Sequence, residues 1–284
     1  MKREIPFAKF HGLGNDFIVV PSKALSAPVS AFARGICRRN TGVGADGLLV
    51  LGPAREKGID AELRFFNADG SEAEMSGNGI RCAGAFLAGA GCESDPLKIK
   101  TVVGVKSLEL IKAERGRWQF RVAMGSPILL PGKIPFKGVK GSNPVVGFPL
   151  PTRGGPVPVT VTSMGNPHCS IFVDDFVSID WKKLGSEVER MEAFPNRTNV
   201  EFVRVLSRKN IEVRYWERGV GVTMSSGTGS CAAVVAAILN GRTGRNVQVK
   251  TLAGTLAVTW PKGGEVTLTG PAEFIADGVY HFRS

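Results

Sequence analysis

Short apolar runs rich in β-branched and aromatic residues recur along the chain. "DFIVV", "GLLVL", "ELRFFN" and "LKIKTV" lie in the first half; "VPVTVTS", "CSIFVDD", "NVEFVRVL", "IEVRYWE", "VQVKTL", "TLAVTW" and "EVTLTG" lie in the second. Each has strand length and is bounded by turn-forming residues, which predicts short strands joined by tight loops. Two stretches break this pattern. Ile80 to Ala90 is crowded with Ala and Gly, and Thr228 to Leu239 is apolar on every side. Both predict helices, stopped by Gly89 and Gly91 in one case and Gly241 in the other. A helix that is apolar all round is buried, and small residues let surrounding backbone come close. The pattern therefore predicts one buried helix wrapped by a curved sheet in each half. Pro131 to Gly155, full of Pro and Gly, reads as a long connection near the boundary.

The two halves repeat. "ELRFFN", starting at Glu62, matches "EVRYWE", starting at Glu212, at an offset of 150 residues. The same offset relates Ser76 to Ser226, Gly77 to Gly227, Gly79 to Gly229, and "KTVVG" to "KTLAG". Upstream, Gly14-Asn15 resembles Gly165-Asn166 with one further residue of shift. Matches held at one offset over a long stretch point to a duplicated fold, hence two similar domains related by approximate twofold symmetry. Duplication alone implies no chemistry.

Composition narrows the class. The chain has 284 residues, 43% hydrophobic and 21% charged, enough for two folded domains. The formal charge is +11, but Lys and Arg are scattered with no block of five, so a basic solvated surface explains it better than nucleic-acid binding. The five Cys lack metal-type spacing, and their odd number argues against a disulfide frame. The first ten residues, "MKREIPFAKF", have no signal-peptide core, and no apolar run is long enough to span a bilayer. The expectation is a soluble cytoplasmic protein. No feature implies a metal, pyridoxal phosphate or nicotinamide.

The candidate chemistry lies at the two helix starts, "MSGNGIRC" and "MSSGTGSC". A helix N-terminus leaves backbone N–H groups unpaired and carries partial positive charge, so it suits a carboxylate. Ser76 and Ser226 have an ordinary role as N-caps. Taken as a pair, the two starts predict more: one group on each face of a substrate carbon, the geometry that inverts a stereocentre. Asn15, Asn67, Asn78, Asn166, Asn199, Glu217 and Arg218 fall at strand ends or turns nearby. Each alone reads as a turn former or a surface group; beside a helix start, Glu217-Arg218 could instead bind an amino group and a carboxylate. His168, in "GNPHCS", reads either as a satisfied core histidine or as a group tuning a nearby acid or base.

"FAKFHGLGNDFIVV", "RNTGVGADGLLVL", "FFNADGSEAEMSGNGIRC", "MGNPHCSIFVDD", "RTNVEFV" and "WERGVGVTMSSGTGSCAA" together resemble the diaminopimelate epimerase family, nearly end to end. The resemblance implies an α+β fold of two pseudo-symmetric domains, each a curved mixed sheet around a central buried helix. The first would cover residues 1–117, completed by a C-terminal strand at 269–284, and the second 118–268. It implies a cofactor-independent amino-acid epimerase, a homodimer, that interconverts LL- and meso-diaminopimelate by proton transfer at the two faces of the α-carbon. It implies substrate contacts at Asn15, Asn67, Asn166, Asn199, Glu217 and Arg218. Anion contacts would come from the backbone at Gly77, Asn78, Gly227 and Thr228, with His168 and Glu217 assisting proton transfer. Gly47, where some members carry a side chain that binds substrate, stays unassigned.

The family's acid/base pair is two cysteines, and here those positions are Ser76 and Ser226. A thiol has a pKa of about 8.5, and a helix N-terminus lowers it further. An alcohol is a far weaker acid, so the sequence predicts weak or no turnover. Cys82 and Cys231 lie six and five residues beyond the serines, inside the helices, where buried Cys is an inert small hydrophobe. Two alternatives stay open: another isomerase, racemase or dehydratase on the same scaffold, with Glu217, Asp69 or His168 as base, or a non-catalytic amino-acid-binding protein.

Overall fold

The strands Asn15–Pro21 and Asn199–Ser207 each run through five consecutive buried residues, Asp16 to Val20 and Asn199 to Val203. A strand buried on both faces needs cover on both sides, and here helices supply it. The computed structural model describes residues 2–25, 28–139 and 141–283; Met1 and Ser284, the ends of the first expected domain, and Lys140 in the expected connection lie outside them. The described chain contains four α-helices: α1 (Val29–Ile36), α2 (Gly77–Gly89), α3 (Trp181–Glu189) and α4 (Gly227–Leu239). The chain divides into two compact units, Met1–Val122 with Thr269–Ser284, and Ala123–Leu268.

In the first unit, Lys2–Gly12 pairs antiparallel with Asn15–Pro21 on one side and with Val266–Arg283 on the other. Asn15–Pro21 runs parallel to Gly47–Pro53, which is antiparallel to Ala61–Asn67. Ala61–Asn67 is parallel to Leu97–Thr101, followed by the antiparallel strands Gly104–Glu114 and Arg117–Gly125. Arg117–Gly125 pairs with the last strand, Val266–Arg283, so this mixed sheet closes into a barrel. Helix α2 packs against its first strands, with Gly77 to Ala85 buried. On the opposite face, Phe32, Ala33 and Ile36 of α1 join Ile18, Val20, Leu48, Val50 and Phe66 in one core cluster.

The second unit repeats the plan. Pro167–Phe172 runs parallel to Asn199–Ser207, which is antiparallel to Asn210–Glu217, itself parallel to Asn246–Thr251. The registers coincide. Ala61 pairs with Ile99 and Glu62 with Lys100; Ile211 pairs with Val249 and Glu212 with Lys250, each 150 residues on. Helix α4 is buried along most of its length, and Val188 of α3 packs with Cys169, Ile171, Val200 and Phe202 on the outer face.

The sequence expectations need two corrections. One helix per half becomes two, because α1 and α3 cover the outer sheet faces. Pro131 to Gly155 is not only a connection, because Val145–Thr152 is a strand paired with Gly155–Ser163. Its prolines fit because Pro149 stands opposite Pro158 and Pro151 opposite Pro156. Such pairs direct their N–H positions away from the partner strand, so no ladder hydrogen bond is lost.

Candidate active site

The two serine-led helix starts have nearly the same local geometry. Ser76 is the N-cap of α2, with φ −130° and ψ 125°; Ser226 is the N-cap of α4, with φ −135° and ψ 128°. Each hydroxyl oxygen accepts the N–H three residues on, Gly79 N at 3.1 Å and Gly229 N at 3.2 Å. The serine carbonyls accept the next N–H groups, from Ile80 and Ser230. The first amides of each helix, at Gly77 and Asn78 or Gly227 and Thr228, are those that an α-helix leaves without an internal partner. The ordinary capping role is therefore real at both serines, and it leaves amides without an internal helix partner beside them.

The glycines three residues on are required. A Cβ on Gly79 would lie 2.9 Å from the Phe65 ring and 3.3 Å from Leu49. A Cβ on Gly229 would lie 3.0 Å from the Tyr215 ring and 3.1 Å from Glu201 Oε1. These contacts show which residues occupy equivalent places in the two units: Phe65 with Tyr215, and Leu49 with Glu201.

In the first unit the residues behind the helix start are mostly apolar. Phe17, Leu49 and Phe65 are buried, and Ile80 takes the place that Ser230 holds in α4. The polar groups lie to one side. Asn78 donates to Asn15 Oδ1 at 3.1 Å, and Asn15 donates to Asp46 Oδ2 at 2.8 Å. Buried Arg81 donates to Asn78 Oδ1 at 2.7 Å, to the Gly77 carbonyl at 2.8 Å and to the Pro271 carbonyl at 3.1 Å. Asp16 joins Lys9 and Arg39; burial pushes its carboxyl up, but these cations hold it below the usual range. Asn67 turns its amide to Ser71 at 2.9 Å, within its own turn. At Gly47 a Cβ would lie 2.9 Å from the Phe66 carbonyl, so the site tolerates no side chain without movement.

In the second unit the same places are polar and buried. His168 Nδ1 lies 2.6 Å from Glu201 Oε1, and His168 Nε2 lies 2.9 Å from Asn166 Oδ1. Asn166 Nδ2 is 3.5 Å from Thr228 Oγ1, the counterpart of the Asn15–Asn78 contact. The Tyr215 hydroxyl is 2.7 Å from Ser230 Oγ, which donates to the Ser226 carbonyl at 2.6 Å. Burial pushes the Glu217 carboxyl up, while the Ser226 hydroxyl and the His168 ring pull it back. Asn199 donates to the Pro167 carbonyl at 3.0 Å and accepts the Arg218 N–H at 3.0 Å, so it fastens the turn that carries Arg218. Glu189 of α3 secures the same turn, accepting from Trp216 Nε1 at 2.8 Å and Gly219 N at 2.9 Å.

Within the second unit, Asn166, His168, Glu217, Ser226 and Thr228 thus gather at one helix start; in the first, Asn15, Ser76, Gly77 and Asn78 do so. Cys82 and Cys231 are fully buried, and burial pushes the Cys82 thiol up to about 12. Among the described residues, no group of three or more His, Cys, Asp or Glu side chains is placed to hold a metal ion. No helix among them is long and apolar enough to cross a membrane. Glu201, Tyr215 and Ser230 were not among the residues picked out by sequence. Glu201 alternates with Val200 and Phe202 and so reads as solvent-facing, yet it is 1% exposed.

The two units repeat one plan, a mixed sheet packed against a buried helix with a serine N-cap. Solved structures share that fold: a hydroxyproline epimerase from Agrobacterium vitis has a TM-score of 0.69 at 14% identity, covering 100% of this chain and 95% of that one. A phenazine biosynthesis protein of the PhzF family from Bacillus anthracis has a TM-score of 0.64 at 16% identity, covering 98% and 99%. The family model for diaminopimelate epimerase matches residues 7–130 and 160–275. A diaminopimelate epimerase of Pelotomaculum thermopropionicum is 47% identical over 98% of this chain and 99% of its own length. Diaminopimelate epimerase 1 of a Nostoc species is 42% identical over 96% and 99%. The chain belongs to the diaminopimelate epimerase family.

Proposed function

We propose that the chain binds diaminopimelate and interconverts its LL and meso forms by proton transfer at the α-carbon, with Ser76 and Ser226 at the acid and base positions. The observation that carries this is the pair of matching helix starts, each capped by serine and each presenting unpaired amides. In such a reaction the α-carboxylate rests on helix N–H groups, whose partial charge also stabilises the electron density left when the α-proton departs. The α-ammonium is neutralised by Glu217, and Arg218 and the asparagines receive the distal amino-acid end. The protein acts without pyridoxal phosphate, as a cytoplasmic homodimer supplying a lysine and peptidoglycan precursor.

Serine sets the rate. A hydroxyl is a much weaker acid than a thiol, and its oxygen here already accepts a capping hydrogen bond. Solvent deuterium incorporation at the α-carbon tests the assignment. The chain as it stands exchanges slowly or not at all, and Ser76→Cys/Ser226→Cys raises the rate by at least about a hundredfold, the scale of positioned acid–base catalysis. A double variant that binds diaminopimelate yet exchanges no faster would sink the assignment. The capping geometry also favours a second function, amino-acid binding without turnover. Calorimetric binding with no exchange in either form would select it.

A further inference from the structure

Behind the Ser226 helix start lies a titratable pair with no counterpart in the first unit. Glu201 and His168 are 1% and 0% exposed. Each ring nitrogen of His168 faces an oxygen: Glu201 Oε1 at 2.6 Å from Nδ1, and Asn166 Oδ1 at 2.9 Å from Nε2. Asn166 sets its Nδ2 toward Thr228 Oγ1 and its Oδ1, an acceptor, toward the ring. Nε2 therefore carries a hydrogen. A second hydrogen lies between Nδ1 and Oε1, as carboxyl with neutral ring or as carboxylate with imidazolium. In both forms the pair is neutral; without that hydrogen it is a buried net negative charge, which is costly.

The surroundings reinforce this. Ser170 Oγ is 3.5 Å from Glu201 Oε2. The other titratable groups facing the cluster are Glu217 and Tyr215 on the next strand, Cys169 beside His168, and Cys231 on α4, and none of them is a cation. The equivalent pair in the first unit is Phe17 and Leu49, which hold no proton.

We propose that Glu201 is a positioning residue: through His168 and Asn166 it keeps a fixed proton behind the Ser226 helix start, a proton that the Ser76 start has no group to hold. The inference rests on the epimerase function proposed above and adds a residue to it. Imidazole ¹⁵N spectra of the unaltered chain test it without any turnover, so its failure is separable from failure of that function. Of the three histidines, the His168 signals are assigned by comparison with Glu201→Gln. They should show a hydrogen on Nε2 and a strongly hydrogen-bonded one at Nδ1. A His168 ring that lacks either hydrogen overturns the proposal.

Kinetics supply the second arm. In the Ser76→Cys/Ser226→Cys background, Glu201→Gln and Glu201→Leu should each lower kcat for deuterium exchange by about tenfold or more. KM should stay within about twofold, because the substrate-facing atoms are unchanged. Gln can donate to Nδ1 but cannot share the proton, and it keeps the volume if the Leu variant fails to fold. Glu201→Asp should recover part of the rate and the bridging hydrogen. A Glu201→Gln variant with the parent's kcat and pH profile would count against the proposal.

Discussion

The two units carry the same helix start on opposite kinds of support. Behind Ser76 lie Phe17, Leu49, Phe65 and Ile80; behind Ser226 lie His168, Glu201, Tyr215 and Ser230. The caps, the glycines and the strand registers are common to the halves, while the residues beneath are apolar in the first and polar in the second. A duplicated fold thus supplies two helix starts of equal capping geometry on chemically different layers. In the first unit, Asp16, Asp46, Lys9 and Arg39 lie on the flank, where they hold the Asn15 loop, and Arg81 of α2 braces the helix start from within. In the second, titratable groups lie directly under the helix.

The largest expected effect comes from forcing the second unit's chemistry on the first. Leu49→Glu places a carboxyl against Phe17 and Phe65, with no imidazole to share a proton. It should cost about 3–5 kcal/mol, the scale of an uncompensated buried charge, read as a fall in the urea midpoint. A loss below about 1 kcal/mol would mean that the space behind α2 is already polar, and the contrast would fail.

A smaller effect separates the units by pH. Asp16 is held below its ordinary pKa of 3.8, so the stability it contributes is present above that value and is lost as pH falls through its folded value. Glu217 is raised above its ordinary 4.5, so the folded chain binds more protons than the unfolded one as pH rises beyond 4.5, and stability is lost in that direction. Asp16→Asn should therefore destabilise by about 2 kcal/mol at neutral pH, the scale of hydrogen bonds to a charged group, and by much less in acid. Glu217→Gln should change little in acid and flatten the decline above 4.5. Unfolding midpoints across pH check both, and like slopes for the two variants would remove the distinction.

How much of this was legible in sequence depends on what each position packs against. The matches from "ELRFFN" to "KTLAG" marked the repeat because strand register and the buried helix both depend on them, and 150-residue spacing survives in the pairings themselves. The serine caps were legible because a Ser-Gly-X-Gly start has few other uses. Helices α1 and α3 were missed because they are only eight and nine residues long, with few buried positions to set a period. Asp180, whose side chain accepts the Lys183 N–H at 3.1 Å, was the available cap signal for α3. Glu201 was hidden by alternation: in a strand with one wet face it would point to solvent, and only the packing of α4 on one face and α3 on the other buries it. A charged residue inside five successive buried strand positions becomes conspicuous only once both helices are in place.

The chemical inequality of the two helix starts is tested most directly by thiolate absorbance in single variants. Ser76→Cys and Ser226→Cys are titrated separately against the unaltered chain, whose five native thiols subtract out. The thiol introduced at 76 should ionise in one step. The thiol introduced at 226 should ionise in a profile broadened or split by Glu217, whose carboxyl is pushed up by burial, since groups that interact by about a pK unit titrate together. Two superimposable single-step curves would show that the layer behind the helices makes no difference to the proton, and would contradict the account.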